Sequence, residues 1–320
     1  MFLRQECVIY KIGNKLDLLP IVYLSGSSND ELINILKYKM DFFVRFFRKK
    51  QSLSKKVDES IRHIAIDKAE KVLEIEDVLN VSPNCIPDFG DIEVRTFADV
   101  EKVAVRFRQE LGLGNSPIPN VYILLDAIGV KVFPMKLDER FDALNFSYDS
   151  EYFVMVNTTL ESNERVRFTL LHEVGHIIMN IPDDISDKMV EKLCHRFACN
   201  VLLPPDVLKS KIGQKRVGIA LQELAHIQSE YGISIKAIMV SAKDQGIITD
   251  GNLTSFYKKT NASQDFKNYV DRSRFCQEEA ESGFTSMVYR ALASEIISTS
   301  KAAFLLGDSV NNVVNHISML

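Results

Sequence analysis

The spacing of apolar positions divides the chain into a helical opening, a short stretch of alternating strands and a long helical remainder. Over 30–47, Leu32, Ile35, Leu36, Met40, Phe43 and Phe47 recur at roughly helical spacing, with a turn signal at 25–29 ahead of them. Residues 52–79 carry a second helical pattern through Val57, Ile61, Ile64, Ala69, Val72 and Ile75, and Pro83 and Pro87 then place a loop. A third helix is predicted at 97–111, where Val100, Val103, Ala104, Phe107 and Leu111 share a face and Gly112 and Gly114 end it. Beyond Pro117 and Pro119 a short helix covers 121–128, stopped by Gly129.

The period then shortens to two. Residues 130–135 are short and β-branched, and 143–148 and 152–157 flank Asp149-Ser150-Glu151, which predicts a hairpin. Ser162 or Asn163 caps the next helix, and Glu164 in its first turn suits the positive end of the dipole. That helix reaches about Met179. Another spans 186–202 before Pro204-Pro205, and a pair follows at 219–231 and 234–245 with Ser234 as a cap. Residues 256–281 lack a clear period and are expected to be partly irregular. Helices at 287–297, 301–306 and 310–319 finish the chain. The fold class predicted is α+β: a small, mostly antiparallel sheet with helices around it. The divisions expected are 1–50, 51–92 (a helical linker), 93–210 (the core), 211–250 (a helical pair) and 251–320.

Composition changes this picture little. With 46% hydrophobic and 26% charged residues, the 320-residue chain can bury an ordinary core, and a net charge near −4 argues against a surface that coats nucleic acid. No apolar run approaches the roughly 18 residues of a membrane span, and the start of the chain lacks a secretory pattern. Cys7, Cys85, Cys194, Cys199 and Cys276 are odd in number and form no C-x-x-C, so reduced thiols in the cytoplasm are expected. Arg45, Arg48, Lys49, Lys50, Lys55 and Lys56 make a basic run without an acid, read as a solvated helix end in preference to a phosphate contact. The last predicted helix has no Lys or Arg, which argues against DNA binding through that end.

Candidate chemistry lies in 167–180. His172, Glu173 and His176 form an H-E-x-x-H, and on a helix positions i and i+4 share a face. Two imidazoles can then meet one metal, with Glu173 as general base. A third ligand must come from elsewhere. On the next helix Glu191, Cys194, His195 and Ala198 share a face, so Glu191 and His195 both qualify, and Asp183, Asp184 or Asp187 could reach back. Cys194 reads as a small packed residue rather than a ligand. His63, His226 and His316 read as structural or exposed. For an oxyanion donor the sequence offers His195, Tyr148 and Asn145, and the hairpin at 143–157 offers an open strand for an extended substrate.

The string 167–176, the strand before it that ends Val-Asn-Thr, and Glu191-Lys-Leu-Cys-His-Arg-Phe-Ala198 followed by Leu202-Leu203-Pro204 together resemble the ImmA/IrrE-type metallopeptidases. The resemblance extends over about 55–315. It implies a zincin-like peptidase core and a zinc ion, or manganese, held by His172, His176 and Glu191 with Glu173 catalytic. His195 and Cys194 stand where the family usually has asparagine and alanine, which alters the surroundings of the ligands and makes His195 a candidate neighbour of the metal. The resemblance further implies a protein substrate, an XRE-type repressor cleaved to release stress or mobile-element genes. Residues 1–50 would then be a degenerate remnant of an XRE-type helix-turn-helix. Two other readings stand beside a peptidase: an antitoxin-like binding protein with an idle or structural metal site, and a hydrolase acting on something other than peptide.

Overall fold

The computed structural model describes residues 7–12, 15–20, 43–48, 55–81, 86–136, 141–160, 162–277, 279 and 283–318. The chain divides into two units, Met1–Phe42 and Phe43–Leu320. In the first, β1 (Cys7–Ile12) and β2 (Lys15–Pro20) pair antiparallel, with Cys7 opposite Pro20 and Ile12 opposite Lys15.

The second unit is organised by a four-stranded sheet in the order β3-β5-β6-β4, made of β3 (Phe43–Arg48), β4 (Val130–Met135), β5 (Phe141–Tyr148) and β6 (Glu151–Asn157). β5 pairs antiparallel with both β3 and β6, whereas β4 runs parallel to β6. Tyr148 lies opposite Glu151, so the hairpin loop is the two residues Asp149 and Ser150, at φ 50° and 66°. Two left-handed residues in succession give the turn whose twist matches that of the flanking strands. Glu151, read from the sequence as part of the turn, is the first residue of β6.

Two expectations fail at the start of the chain. The helix predicted over 30–47 does not reach its end, because Phe43–Arg48 is a strand; Cys7–Ile12 and Lys15–Pro20 are strands too. The helix-turn-helix remnant expected of 1–50 therefore does not describe these segments, and the rest of that helix, 30–42, lies outside the described residues. The physical reason is tertiary pairing: Phe-Val-Arg-Phe-Phe-Arg is rich in strand-forming side chains and has the edge of β5 as its partner. It follows that β5 is paired on both sides, by β3 and β6, and β6 likewise by β5 and β4. The hairpin has no open strand of the kind expected for a substrate.

Alternation sorts the sheet residues into two faces. Phe146, Phe153 and Phe133 stack across three strands, with ring centroids 5.0 and 5.9 Å apart. Over this face lie α1 (Lys55–Val78) and α11 (Gly283–Ala293), where Phe284 meets Phe133 edge-on and Lys131 pairs with Glu76 of α1 at 3.4 Å and with Glu151 at 2.7 Å. Ile61, Ala65, Ile66, Ala69, Val72 and Ile75 of α1 are buried. The stretch read as a linker is thus helical as expected, and it covers one face of the sheet. Val130, Val132, Ala143, Val154 and Val156 project to the opposite face and join the main core.

That core is filled by α2 (Phe97–Glu110), α3 (Val121–Ala127), α4 (Asn163–Ile178) and α5 (Asp187–Leu202). α2 starts at a reciprocal cap between Thr96 and Asp99, and its Phe107 packs edge-on against Phe197 of α5 with centroids 5.5 Å apart. α6 (Pro205–Ile212), α7 (Leu221–Tyr231) and α8 (Ile235–Asp244) close the far side. The irregular stretch expected over 256–281 is in large part helical, as α9 (Asp250–Ala262) and α10 (Gln264–Asp271). Only Phe256 and Thr260 of α9 and Val270 of α10 are buried, which is why no apolar period announced them. α12 (Thr299–Leu306) and α13 (Val310–Ser318) follow α11. No helix among the described residues is long and apolar enough to cross a membrane. This is an α+β, zincin-like arrangement of helices on a small mixed sheet.

Candidate metal centre

α4 starts where the Ser162 hydroxyl accepts the Arg165 N–H at 3.2 Å. It passes between the sheet and α5 and is buried on nearly every side, so His172 and Glu173 are both fully enclosed. The helical spacing brings His176 Nε2 to 3.1 Å from His172 Nε2.

The approach of α5 depends on Gly175. A Cβ there would lie 3.2 Å from Phe197 Cδ1, 3.3 Å from Met179 Cε and 3.4 Å from the Cα of Cys194. Without one, α5 lies close enough for the Glu191 carboxylate to straddle the two imidazoles, Oε2 at 3.3 Å from His172 Nε2 and Oε1 at 3.3 Å from His176 Nε2. The three groups offer ligand atoms within 4.8 Å of one another. Among the described residues the metal-capable group is His172, His176 and Glu191. Asp183, Asp184, Asp187 and His195 are not part of it, and Asp184 is instead paired with Arg95 at 2.8 Å. The His195 ring lies beside the cluster, 4.7 Å from that of His172 and 5.5 Å from that of Phe168.

The electrostatics suit a cation. Burial pushes His172 down to about 4, overcoming the Glu191 carboxylate beside it, so its imidazole is neutral and its lone pair is available at neutral pH. Burial alone would raise Glu191, but hydrogen bonds from His172 and His176 hold it well below the usual carboxylate range. His195 is also lowered, chiefly by burial. Two neutral imidazole nitrogens and one carboxylate oxygen are a donor set that zinc or manganese accepts, and three protein ligands leave a coordination position for water or substrate. The Glu191 side chain is 45% exposed while those of His172 and His176 are 0% and 5%, so the centre opens to solvent on the Glu191 side.

The neighbours of these groups were only partly foreseen. Asn145, an oxyanion candidate, lies on the core-facing side of β5, where its amide donates to Glu173 Oε2. Tyr148 points elsewhere, donating to Glu70 Oε1 of α1 at 3.1 Å. Cys194, read as packing alone, puts its Sγ 3.3 Å from His176 Nδ1. Its place one turn beyond Glu191 on the same face was the signal that could have shown this.

A buried polar network, which no apolar spacing announces, braces the first half of α4. Glu164 accepts from Gln228 Nε2 at 2.8 Å, Ser273 Oγ at 2.7 Å, Arg274 N at 2.9 Å and Phe275 N at 3.2 Å. Burial works to raise its carboxyl, and these hydrogen bonds outweigh burial and lower it. Arg167, with no exposed surface, pairs with Glu279, donates to Ile118 O at 2.7 Å and lies 4.2 Å from the Phe275 ring centroid.

Residues 125–242, which contain the whole cluster, match the peptidase M78 family model described as the IrrE N-terminal-like domain. A curated relative, the radiation response metalloprotease IrrE of Deinococcus radiodurans, is 26% identical over 111 residues. That alignment covers 31% of this chain and 33% of the relative, so the chain spans about one third of the length of the protein it matches. The H-E-x-x-H helix, Glu191 and strands β4, β5 and β6 all lie inside the matched segment, so residues 125–242 are similar to an IrrE-type metallopeptidase domain.

Proposed function

We propose that this protein is a metal-dependent endopeptidase that hydrolyses a peptide bond in a specific protein substrate. The observation that carries the reading is the convergence of His172, His176 and Glu191, with ligand atoms within 4.8 Å, on the helix pair that also holds Glu173. His172, His176 and Glu191 would hold the ion, zinc by preference, with manganese suited to the same donors. When bound, such an ion supplies Lewis acidity that activates a water and polarises a peptide carbonyl.

The chain's own residues account for the proton. Glu173 takes it from the water as the water oxygen adds to the carbonyl carbon, then delivers it to the amide nitrogen as the C–N bond breaks. The products are a carboxylate and an amine. The Asn145 amide fixes Glu173 Oε2, which leaves the carboxylate one orientation from which to work. His195, beside His172 and exposed, is the remaining side chain suited to donate to the developing oxyanion. The substrate class proposed is an XRE-type transcriptional repressor whose cleavage releases stress or mobile-element genes.

The test is incubation of the purified protein with an XRE-type repressor from the same organism, with zinc or with chelator, read by intact mass. Metal-dependent cleavage is expected, and Glu173→Gln should keep the metal and abolish it. Cleavage by that variant at the wild-type rate would remove Glu173 from the mechanism. A second reading, an idle or antitoxin-like binding protein, is favoured by one observation, the pairing of β3 along β5 where an extended peptide was expected. Metal analysis separates the two: a protein that purifies without metal and is indifferent to chelator supports the second.

A further inference from the structure

His172, Glu191 and Cys194 all approach the His176 ring. The first two approach Nε2. Cys194 approaches the other nitrogen, with Sγ 3.3 Å from Nδ1. Cys194 is fully buried and sits on α5 three residues beyond Glu191. One face of α5 therefore presents a carboxylate to Nε2 and a thiol to Nδ1 of the same ring.

We propose that Cys194 is a positioning residue for the metal centre, fixing the tautomer and orientation of His176. The inference rests on the metal-site reading given above. An imidazole that offers its Nε2 lone pair to a cation carries its proton on Nδ1, and a buried N–H without an acceptor is costly. Sγ supplies that acceptor. In the opposite tautomer the proton occupies Nε2, and that nitrogen has no lone pair to give. A partner at Nδ1 thus selects the form that binds metal, the role that a carboxylate or backbone carbonyl commonly fills beside a ligating histidine. The thiol is no ligand itself, since it faces the nitrogen directed away from the cluster. Gly175 sets the distance: it holds the Cys194 backbone against α4, with 3.4 Å between the place of a Cβ and the Cys194 Cα.

The experiment compares wild type with Cys194→Ser, Cys194→Ala and Cys194→Val, all full-length, by competition of zinc against a chromophoric chelator and by 15N-detected NMR of the histidine rings. Serine keeps an acceptor and should stay within about threefold of wild-type affinity. Alanine and valine lack one and should lose about tenfold or more, the cost usual for a lost partner of a ligating histidine. In loaded wild type and Cys194→Ser, the His176 Nδ1–H should give a slowly exchanging downfield resonance, and in the other two it should exchange rapidly. Should one variant fail to fold, the comparison stands on the remainder, because alanine removes bulk and valine keeps it. Equal affinity and a protected resonance in all four proteins overturn the proposal. A wild type that takes up no zinc overturns the metal-site reading itself and this inference with it.

Discussion

Arg167, wholly buried on the helix that carries His172, forms an ion pair with Glu279, 112 residues further along the chain. The same carboxylate accepts the Val121 N–H at 2.6 Å, at the first residue of α3. One acidic side chain from near the C-terminal end thus ties the candidate metal helix to the element that leads into the sheet. Glu279→Ala leaves a guanidinium buried without its counter-charge, and a loss of about 3–5 kcal/mol in urea unfolding is expected. Replacing both partners by apolar side chains, as in Arg167→Met with Glu279→Leu, should cost less than Glu279→Ala alone, because no unpaired charge remains. A double variant no more stable than the single would show that the network is held by its hydrogen bonds rather than by charge balance.

Gly175 bears on two quantities at once. Alanine at this position would press on Phe197, Met179 and the Cys194 backbone, where only Met179 can yield cheaply. Gly175→Ala should lower stability by about 1–3 kcal/mol through overpacking. It should also weaken zinc binding, since pushing α5 outward moves Glu191 from its 3.3 Å contacts with both histidines. Calorimetry of the metal-free protein and a zinc titration separate the two effects. A variant that loses stability yet binds zinc as wild type would mean that α5 shifts without carrying Glu191 away.

Asn145 and Glu173 offer a test of catalysis against binding alone. Asn145→Ala removes the donor that holds Glu173 Oε2, and kcat should fall about 10–100-fold with KM little changed, the usual size for losing a supporting hydrogen bond. Asn145→Asp should do more, because a second carboxylate raises the pH at which Glu173 ionises. The acid limb of the pH–rate profile should then move to higher pH in both variants, and further in Asn145→Asp than in Asn145→Ala, which only removes a donor to the carboxylate. Equal shifts in both would assign that limb to another group.

What the sequence could and could not reveal follows from the range of the interactions. His172, Glu173 and His176 are within one turn of each other, and the apolar spacing that predicts α4 and α5 is local, so the helix pair was readable, whereas Glu191 was one of several candidates for the third ligand and only the resemblance singled it out. The short β4 and the hairpin after it were readable by their period of two. Phe43–Arg48 was misread because its fate as a strand is decided by an edge about 100 residues away, which overrides a local helical spacing. Glu164, Arg167 and Glu279 were invisible for a similar reason. A charged residue inside a helix pattern gives no sign that Ser273, Arg274 or Val121 will meet it. Asn145 was noticed as an oxyanion candidate without its contact to Glu173: alternation along β5 sets its face, but only the packing of α4 puts Glu173 there.

Acid should act on the metal-free protein in two stages. His172 in the folded state binds its proton only at about pH 4, whereas an unfolded histidine does so near 6.5. Between these values the unfolded chain carries the extra proton, so stability falls as pH is lowered from about 6.5 towards 4. Glu164 acts in the same direction at lower pH. Its carboxyl is depressed in the folded state, so its contribution is complete above the unfolded carboxylate value and is lost as pH drops through the folded one. Urea midpoints measured between pH 8 and 4 should therefore stay level at first and then decline, with the first decline beginning near pH 6.5. In His172→Asn that first stage should shrink to the part that the lowered His195 contributes, while the steeper loss below about pH 4.5 remains, since Glu164 and its four donors are untouched. A first stage undiminished in His172→Asn would assign it wholly to His195 or another histidine and leave His172 without the buried, neutral character on which metal binding at neutral pH depends.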